Sequence, residues 1–322
     1  MNSRQPGSSL GTSLSSWFSS PGPASGGGEL KLAREYLYSD SGLLAVEDAN
    51  ATSSPPADLA IWRPSTGQWW TQRSEYTSQV TVPWGASTDV PTIGDYDGDG
   101  KTDFCVFRPA EGRWYLIKSG SGDSATTVIP FGSNGDVPAP ADFDGDGRTD
   151  MAVWRPASGT WYIRKSSDLS VIQLPLGSIG DTPNPQDFDG DGRADIAVWR
   201  SATKTFYSVN SSDGEMAFTI IGMQGLPVSA DYDGDGSSDY AVREGAVWKI
   251  KQSSDGAFRT VSWQEDDDIA IHNDYDGDGR VDIAAWSPHD GKWHILQSST
   301  GTERVEQWGM NGDIPLPALY RR

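Results

Sequence analysis

An all-β fold of short strands is what this sequence predicts, and three observations predict it. Gly 37 and Pro 20 among 322 residues imply many turns, while Trp 14, Tyr 11 and Phe 9 supply large side chains for packing. No stretch approaches the roughly 18 consecutive apolar residues of a membrane-spanning helix. Most tellingly, one segment recurs five times at intervals of 43 to 47 residues, a period that decides the fold assignment before any single element is read.

Charge narrows the partners. Lys+Arg 25 against Asp+Glu 45 gives a formal net charge of −20, so the bare chain is repelled by polyphosphate and anionic lipid and nucleic acid is excluded as a partner. The single cysteine, Cys105, cannot form an intrachain disulfide, which leaves packing or metal to stabilise the fold outside a cell.

Taken in order, residues 1–30 are rich in Ser, Gly and Pro and read as an extended or flexible tail without the apolar run of an export signal. Residues 31–48, KLAREYLYSDSGLLAVED, read as a β-hairpin around a Ser-Asp-Ser-Gly turn and as a candidate donor strand. This hairpin resembles the YD repeats of bacterial Rhs-type shell proteins. From 49 to 322 the repeat takes over. The pattern D-[YF]-D-G-D-G-x-x-D occurs at Asp95–Asp103, Asp142–Asp150, Asp187–Asp195, Asp231–Asp239 and Asp274–Asp282. A sixth, degenerate copy opens the array, where a Ser/Pro-rich loop without spaced carboxylates leads into Asp58 and LAIWRPSTGQWW.

After each loop comes a hairpin of two β-rich runs, such as MAVWRPASGTWYIRKS from Met151, then a third run, such as VIQLPLG from Val171, and a short GD[VIT]P segment that enters the next loop. About four strands per 45 residues is the size of a propeller blade, so a six-bladed β-propeller is expected, with seven as the alternative if the N-terminal hairpin seeds a partial blade. The last repeat ends in GDIPLPALYRR, one strand into a new blade. That strand would close the first blade and remove the open edges of the ring. GLLAVED, residues 42–48, competes for the same place.

The loops carry the chemistry. Carboxylates at positions 1, 3, 5 and 9, with glycines that let nine residues turn sharply, aim four acids at one point, and such a set repels itself unless a hard cation is present. All-oxygen ligation suits Ca²⁺, with the position-7 carbonyl as a fifth ligand. The expected ligands are Asp95, Asp97, Asp99, Lys101 and Asp103; Asp142, Asp144, Asp146, Arg148 and Asp150; Asp187, Asp189, Asp191, Arg193 and Asp195; Asp231, Asp233, Asp235, Ser237 and Asp239; and Asp274, Asp276, Asp278, Arg280 and Asp282. No Glu stands at position 12 and no helices flank the loops, which excludes an EF-hand. Five divalent ions would take the charge from −20 to about −10, so much of the acidity reads as ligand.

These loops, followed by A-V-W-R-P and G-x-W-Y, resemble the FG-GAP/VCBS repeats of integrin-α-type calcium-binding propellers over about residues 43 to 320. The resemblance implies that each loop joins the first and second strands of a blade and holds Ca²⁺, and that the protein acts outside the cell in adhesion, ligand binding or scaffolding.

Other candidates have simpler explanations. The aromatics recurring once per repeat (Trp62, Phe107, Trp154, Trp199 and Trp286, with Trp69, Trp114, Trp161, Phe206, Trp248 and Trp293) invite sugar stacking but are expected to fill the space between blades. Arg63, Arg108, Arg155 and Arg200 are expected to pair with nearby carboxylates. His272, His289 and His294 lack zinc spacing and are expected at the surface. No nucleophile elbow or phosphate loop is present, so no enzyme is expected. Asn50 and Asn210 head glycosylation sequons. Two function classes follow: an extracellular adhesive or structural protein that assembles head-to-tail by terminal strand exchange, or a monomeric module for a glycan or surface-protein ligand.

Overall fold

The computed structural model describes residues 35–39, 42–47, 56–74, 79–119 and 126–318. The chain divides into two units, Met1–Ala51 and Thr52–Arg322. In the first, Glu35–Ser39 pairs antiparallel with Gly42–Glu47, with a register shift between Leu37 and Tyr38. The 1–30 segment and the degenerate loop before Pro56 lie outside the described residues.

The second unit holds six four-stranded antiparallel sheets, arranged as a six-bladed β-propeller. Blade 3 is representative. Its inner strand Val137–Pro138 is followed by the acidic loop, then by Met151–Arg155, Thr160–Arg164 and the outer strand Val171–Pro175, each pairing with the next. The register places Trp154 directly opposite Trp161, and the same cross-strand site holds Trp62/Trp69, Phe107/Trp114, Trp199/Phe206 and Trp286/Trp293 in other blades. These side chains are at most 2% exposed and form the clusters between neighbouring blades, so the repeated aromatics are core. Most of their indole nitrogens have partners, as Trp154 donates to Leu176 O at 3.0 Å and Trp114 to Phe131 O at 2.8 Å, whereas Trp161 Nε1 is buried without one. Truncating one such residue costs about 3–5 kcal/mol.

The competition for the first blade is settled by the C-terminal segment. Ile314–Ala318 pairs with Asp58–Arg63, from Ile314 opposite Trp62 to Ala318 opposite Asp58. Arg63 then grips Asp313 through two hydrogen bonds of 2.7 and 2.8 Å across 250 residues of sequence. Gly42–Glu47 instead pairs with Glu35–Ser39 in a separate two-stranded sheet and takes no place in the first blade.

Blade 5 departs where the sequence departs. Arg243 takes the Trp site opposite Trp248, and its guanidinium donates to the carbonyls of Glu265 and Asp268 where other blades use an indole. One expectation is corrected. His272 is not a surface residue: its ring packs against Tyr232 and Trp248, and burial lowers its pKa to about 4. It lies on the inner course of blade 6, two residues before the acidic loop.

Candidate metal centre

Each acidic loop is pinned at its stem by an antiparallel bridge, for example Ala141 with Asp150 in blade 3 and Gly94 with Asp103 in blade 2. The position-2 aromatic anchors it from below: Tyr96, Tyr232 and Tyr275 are buried and donate their hydroxyls to the carbonyls of Thr92, Val228 and Ile271. The glycines are required by geometry. Gly145 has a φ of +77°, and a Cβ there would stand 2.7 Å from Cγ of Arg193 in the next blade's loop.

The aspartates play distinct parts. Position 1 is cradled by its own loop: Asp142 accepts from the amides of Gly145 and Gly147 at 2.7 and 2.9 Å, and Asp95, Asp187, Asp231 and Asp274 do the same. Position 9 is fully buried and accepts two amides, as Asp150 does from Phe143 at 2.9 Å and Ser166 at 2.6 Å. Burial raises the pKa of Asp103, Asp150, Asp195 and Asp282 to about 6, against the lowering effect of those amide bonds, and raises Asp239 in the same direction. Position 3 is half-buried in all five loops, and position 5 is the more open of the two in four of them.

Carboxylate oxygens come within 4.8 Å of one another in five groups: Asp95/Asp97/Asp99, Asp142/Asp144/Asp146, Asp187/Asp189/Asp195, Asp231/Asp233/Asp235 and Asp274/Asp276/Asp282. Three of the four expected acids thus converge in each loop. Asp103, Asp150 and Asp239, and in the other two loops Asp191 and Asp278, stand outside the close group. Arg148, Arg193 and Arg280, expected only through their carbonyls, also pair their guanidinium groups with Asp146, Asp191 and Asp278.

Reading the loops alone missed a set of serines. Ser119, Ser166, Ser211, Ser253 and Ser298 donate their hydroxyls to the position-5 carboxylate at 2.8 to 3.0 Å. Ser167, Ser212, Ser254 and Ser299 donate to the position-3 carboxylate at 2.5 to 2.7 Å. Their signal was the serine, usually doubled, that follows the third strand in each of these blades.

The residues fit a hard divalent cation. The donors are all oxygen, the groups are of ligand size, and in blade 3 Asp144 Oδ1 is buried without a hydrogen-bond partner inside its group. The loops are also linked around the ring. The position-1 carbonyl accepts the amide that precedes position 9 in the following blade: Thr149 to Asp95 at 2.6 Å, Ala194 to Asp142 at 2.7 Å, Ser238 to Asp187 at 2.6 Å, Val281 to Asp231 at 2.8 Å, and Ala57 to Asp274 at 2.7 Å. One residue therefore holds its own loop by its side chain and the next blade by its backbone.

A ring of four-stranded sheets with acidic loops between first and second strands defines a β-propeller, and residues 95–153 match the family model described as an FG-GAP-like repeat. No curated protein matches the chain. Among solved structures it is similar to an Agrocybe aegerita lectin described for specific recognition of non-reducing terminal N-acetylglucosamine (17% identity, 80% of this chain, 77% of that one, TM-score 0.53). It is also similar to TolB from Acinetobacter baumannii (14%, 84% and 68%, 0.57) and to streptogramin B lyase (9%, 82% and 86%, 0.52). At these identities the likeness is one of fold.

Proposed function

We propose that the protein is a non-enzymatic, calcium-binding propeller that serves outside the cell as an adhesive or structural surface module. The observation that carries this reading is the pairing of five carboxylate groups with backbone links from each loop to the next blade. Calcium would be held by the position-1, -3, -5 and -9 aspartates and the position-7 carbonyl, and would supply neutralisation of their mutual repulsion. The chain's own part is to fix those oxygens: glycine amides orient position 1, serine hydroxyls orient positions 3 and 5, and two amides lock position 9. Loops of modest affinity stay filled in the millimolar Ca²⁺ outside cells, which supports the location.

The groups of three or more close acids among the described residues all lie in the acidic loops, where a metal role accounts for them, which supports a non-catalytic reading. Filament growth by terminal strand exchange would need Ile314–Ala318 to leave its own blade and break the Arg63–Asp313 pair, so this route is set aside. A second reading, a glycan site, is favoured by one feature: a cleft of about 350 Å³ lined by Trp84, Arg108, Tyr115 and Thr126. Such a cleft brings the Trp84 side chain beside polar groups, a combination that sugar sites use.

Thermal melting tests the main reading. In millimolar Ca²⁺ the midpoint should stand roughly 10 °C or more above that in excess EDTA, because ligand released on unfolding stabilises only the folded state. Equal midpoints would overturn it.

A further inference from the structure

The outer strand of each blade is the rim of the ring, and five of the six rims carry an evident block to pairing. Gln79–Pro83, Thr126–Pro130 and Val171–Pro175 end in proline, Phe258–Ser262 contains Arg259, and Glu303–Gln307 contains Glu303, Arg304 and Glu306. Proline and charge are the usual guards of an exposed edge. Met216–Ile220 in blade 4 has neither. Its outward side chains are Met216, Phe218 and Ile220, 66%, 69% and 60% exposed. Its backbone is open in the same places. Ile221 N donates inward to Lys204 O, and Glu215 O accepts inward from Asn210 N. The antiparallel alternation then turns the N–H and C=O groups of residues 216, 218 and 220 to the free edge.

We propose that this strand is a self-association edge, which pairs antiparallel with the same strand of a second copy about a two-fold axis through Phe218. The strand itself argues for that occupant. Around Phe218 it reads large, small, large, small, large, so the two-fold sets Phe218 against Phe218, Met216 against Ile220, and Ala217 against Thr219. Apolar meets apolar on the exposed face and small meets small on the other. The nearest charge, Glu215, falls opposite Ile221 of the second copy, beside Lys204, the residue whose carbonyl Ile221 bonds. Unlike charges therefore flank both ends and no like charges oppose.

The contact is isologous and closes as a dimer, two rings joined by a continuous eight-stranded sheet. A pairing of five-residue strands buries less than the ~1,200 Å² of a standard interface, so it is weak in dilute solution and strengthened where copies are tethered close together. The proposal rests on the blade 4 edge and not on calcium.

Sedimentation equilibrium of the full chain in calcium buffer, from about 10 μM to about 1 mM, tests it. The mass should rise with concentration from 34.7 kDa toward twice that value and no further. Ile220→Pro, which places at this edge the residue found at Pro83, Pro130 and Pro175, should hold the mass at monomer with the melting midpoint unchanged, since the lost N–H serves only a partner. Phe218→Lys should do the same. Val128→Lys, the equivalent position in blade 2, should leave the rise intact. A monomer at every concentration, growth beyond the dimer, or a rise that survives both blade 4 variants would each overturn the proposal.

Discussion

The two ends of a blade meet the same problem, aspartates near a crowded ring, in opposite ways. In blade 3 the acidic loop finishes at Asp150, and five residues along the strand, about 15 Å away, Arg155 closes on Asp136 with bonds of 2.7 and 2.8 Å. Arg63/Asp313, Arg108/Asp89 and Arg200/Asp181 repeat that pair, and each guanidinium lies over an aromatic ring 4.2 to 5.3 Å from its centroid. At this end the acid of blades 1 to 4 brings its own counter-charge. At the loop end only Arg148, Arg193 and Arg280 help, each reaching one carboxylate of its own loop. The difference teaches that one end is complete as folded, whereas the other is built for charge that comes from outside.

Chelation is the largest way to break this contrast, because EDTA acts on all five loops and leaves the arginine pairs untouched. Next is Arg155→Met, which strands Asp136 at 1% side-chain exposure. It should cost roughly 3 kcal/mol by urea unfolding while calcium uptake stays the same. A loss of calcium in that variant would mean the two ends are not independent.

Acid should separate the ends by sign. The folded-state pKa values near 6 of Asp103, Asp150, Asp195 and Asp282 lie above the ~3.9 of an unfolded aspartate, so the metal-free fold binds protons before the unfolded chain does. The cost of burying these charges is full above about pH 6 and is lost as pH falls toward 4. In EDTA the melting midpoint should therefore rise between pH 7 and pH 5. In Ca²⁺ it should fall, as protons compete with the metal. Parallel curves in the two buffers would contradict the assignment.

The smallest effect sharpens the other end. Blade 6 keeps Asp268 but has Ser287 where blades 1 to 4 have the arginine, and Asp268 Oδ1 is buried with no partner. Ser287→Arg should restore the pair and add about 1 kcal/mol, seen as a midpoint raised by a few degrees at most.

Much of this contrast was legible in the sequence, since period and motif fix the blades, the loops and the aromatic core. Arg155 was legible as an ion-pair residue, though not that Asp136 in the GDVP segment was its partner, because the two meet only when inner and second strands align. Ring closure was ambiguous since GLLAVE and IPLPA have similar strand character and only pairing decides between them. The link from Thr149 to Asp95 is carried by backbone groups, which leave no trace in side-chain identity. The serines were visible as a repeat, yet their role required the turn that brings Ser166 and Ser167 back over Asp146 and Asp144.

The central claim is that five loops each hold a calcium ion. Calorimetric titration of Ca²⁺ into the EDTA-stripped, desalted protein tests it most directly, with the blade 3 double variant Asp144→Asn/Asp146→Asn beside it. The account predicts about five ions per chain, one for each loop group, and one fewer in the variant. Saturation at one ion or none, or an unchanged stoichiometry in the variant, would contradict it.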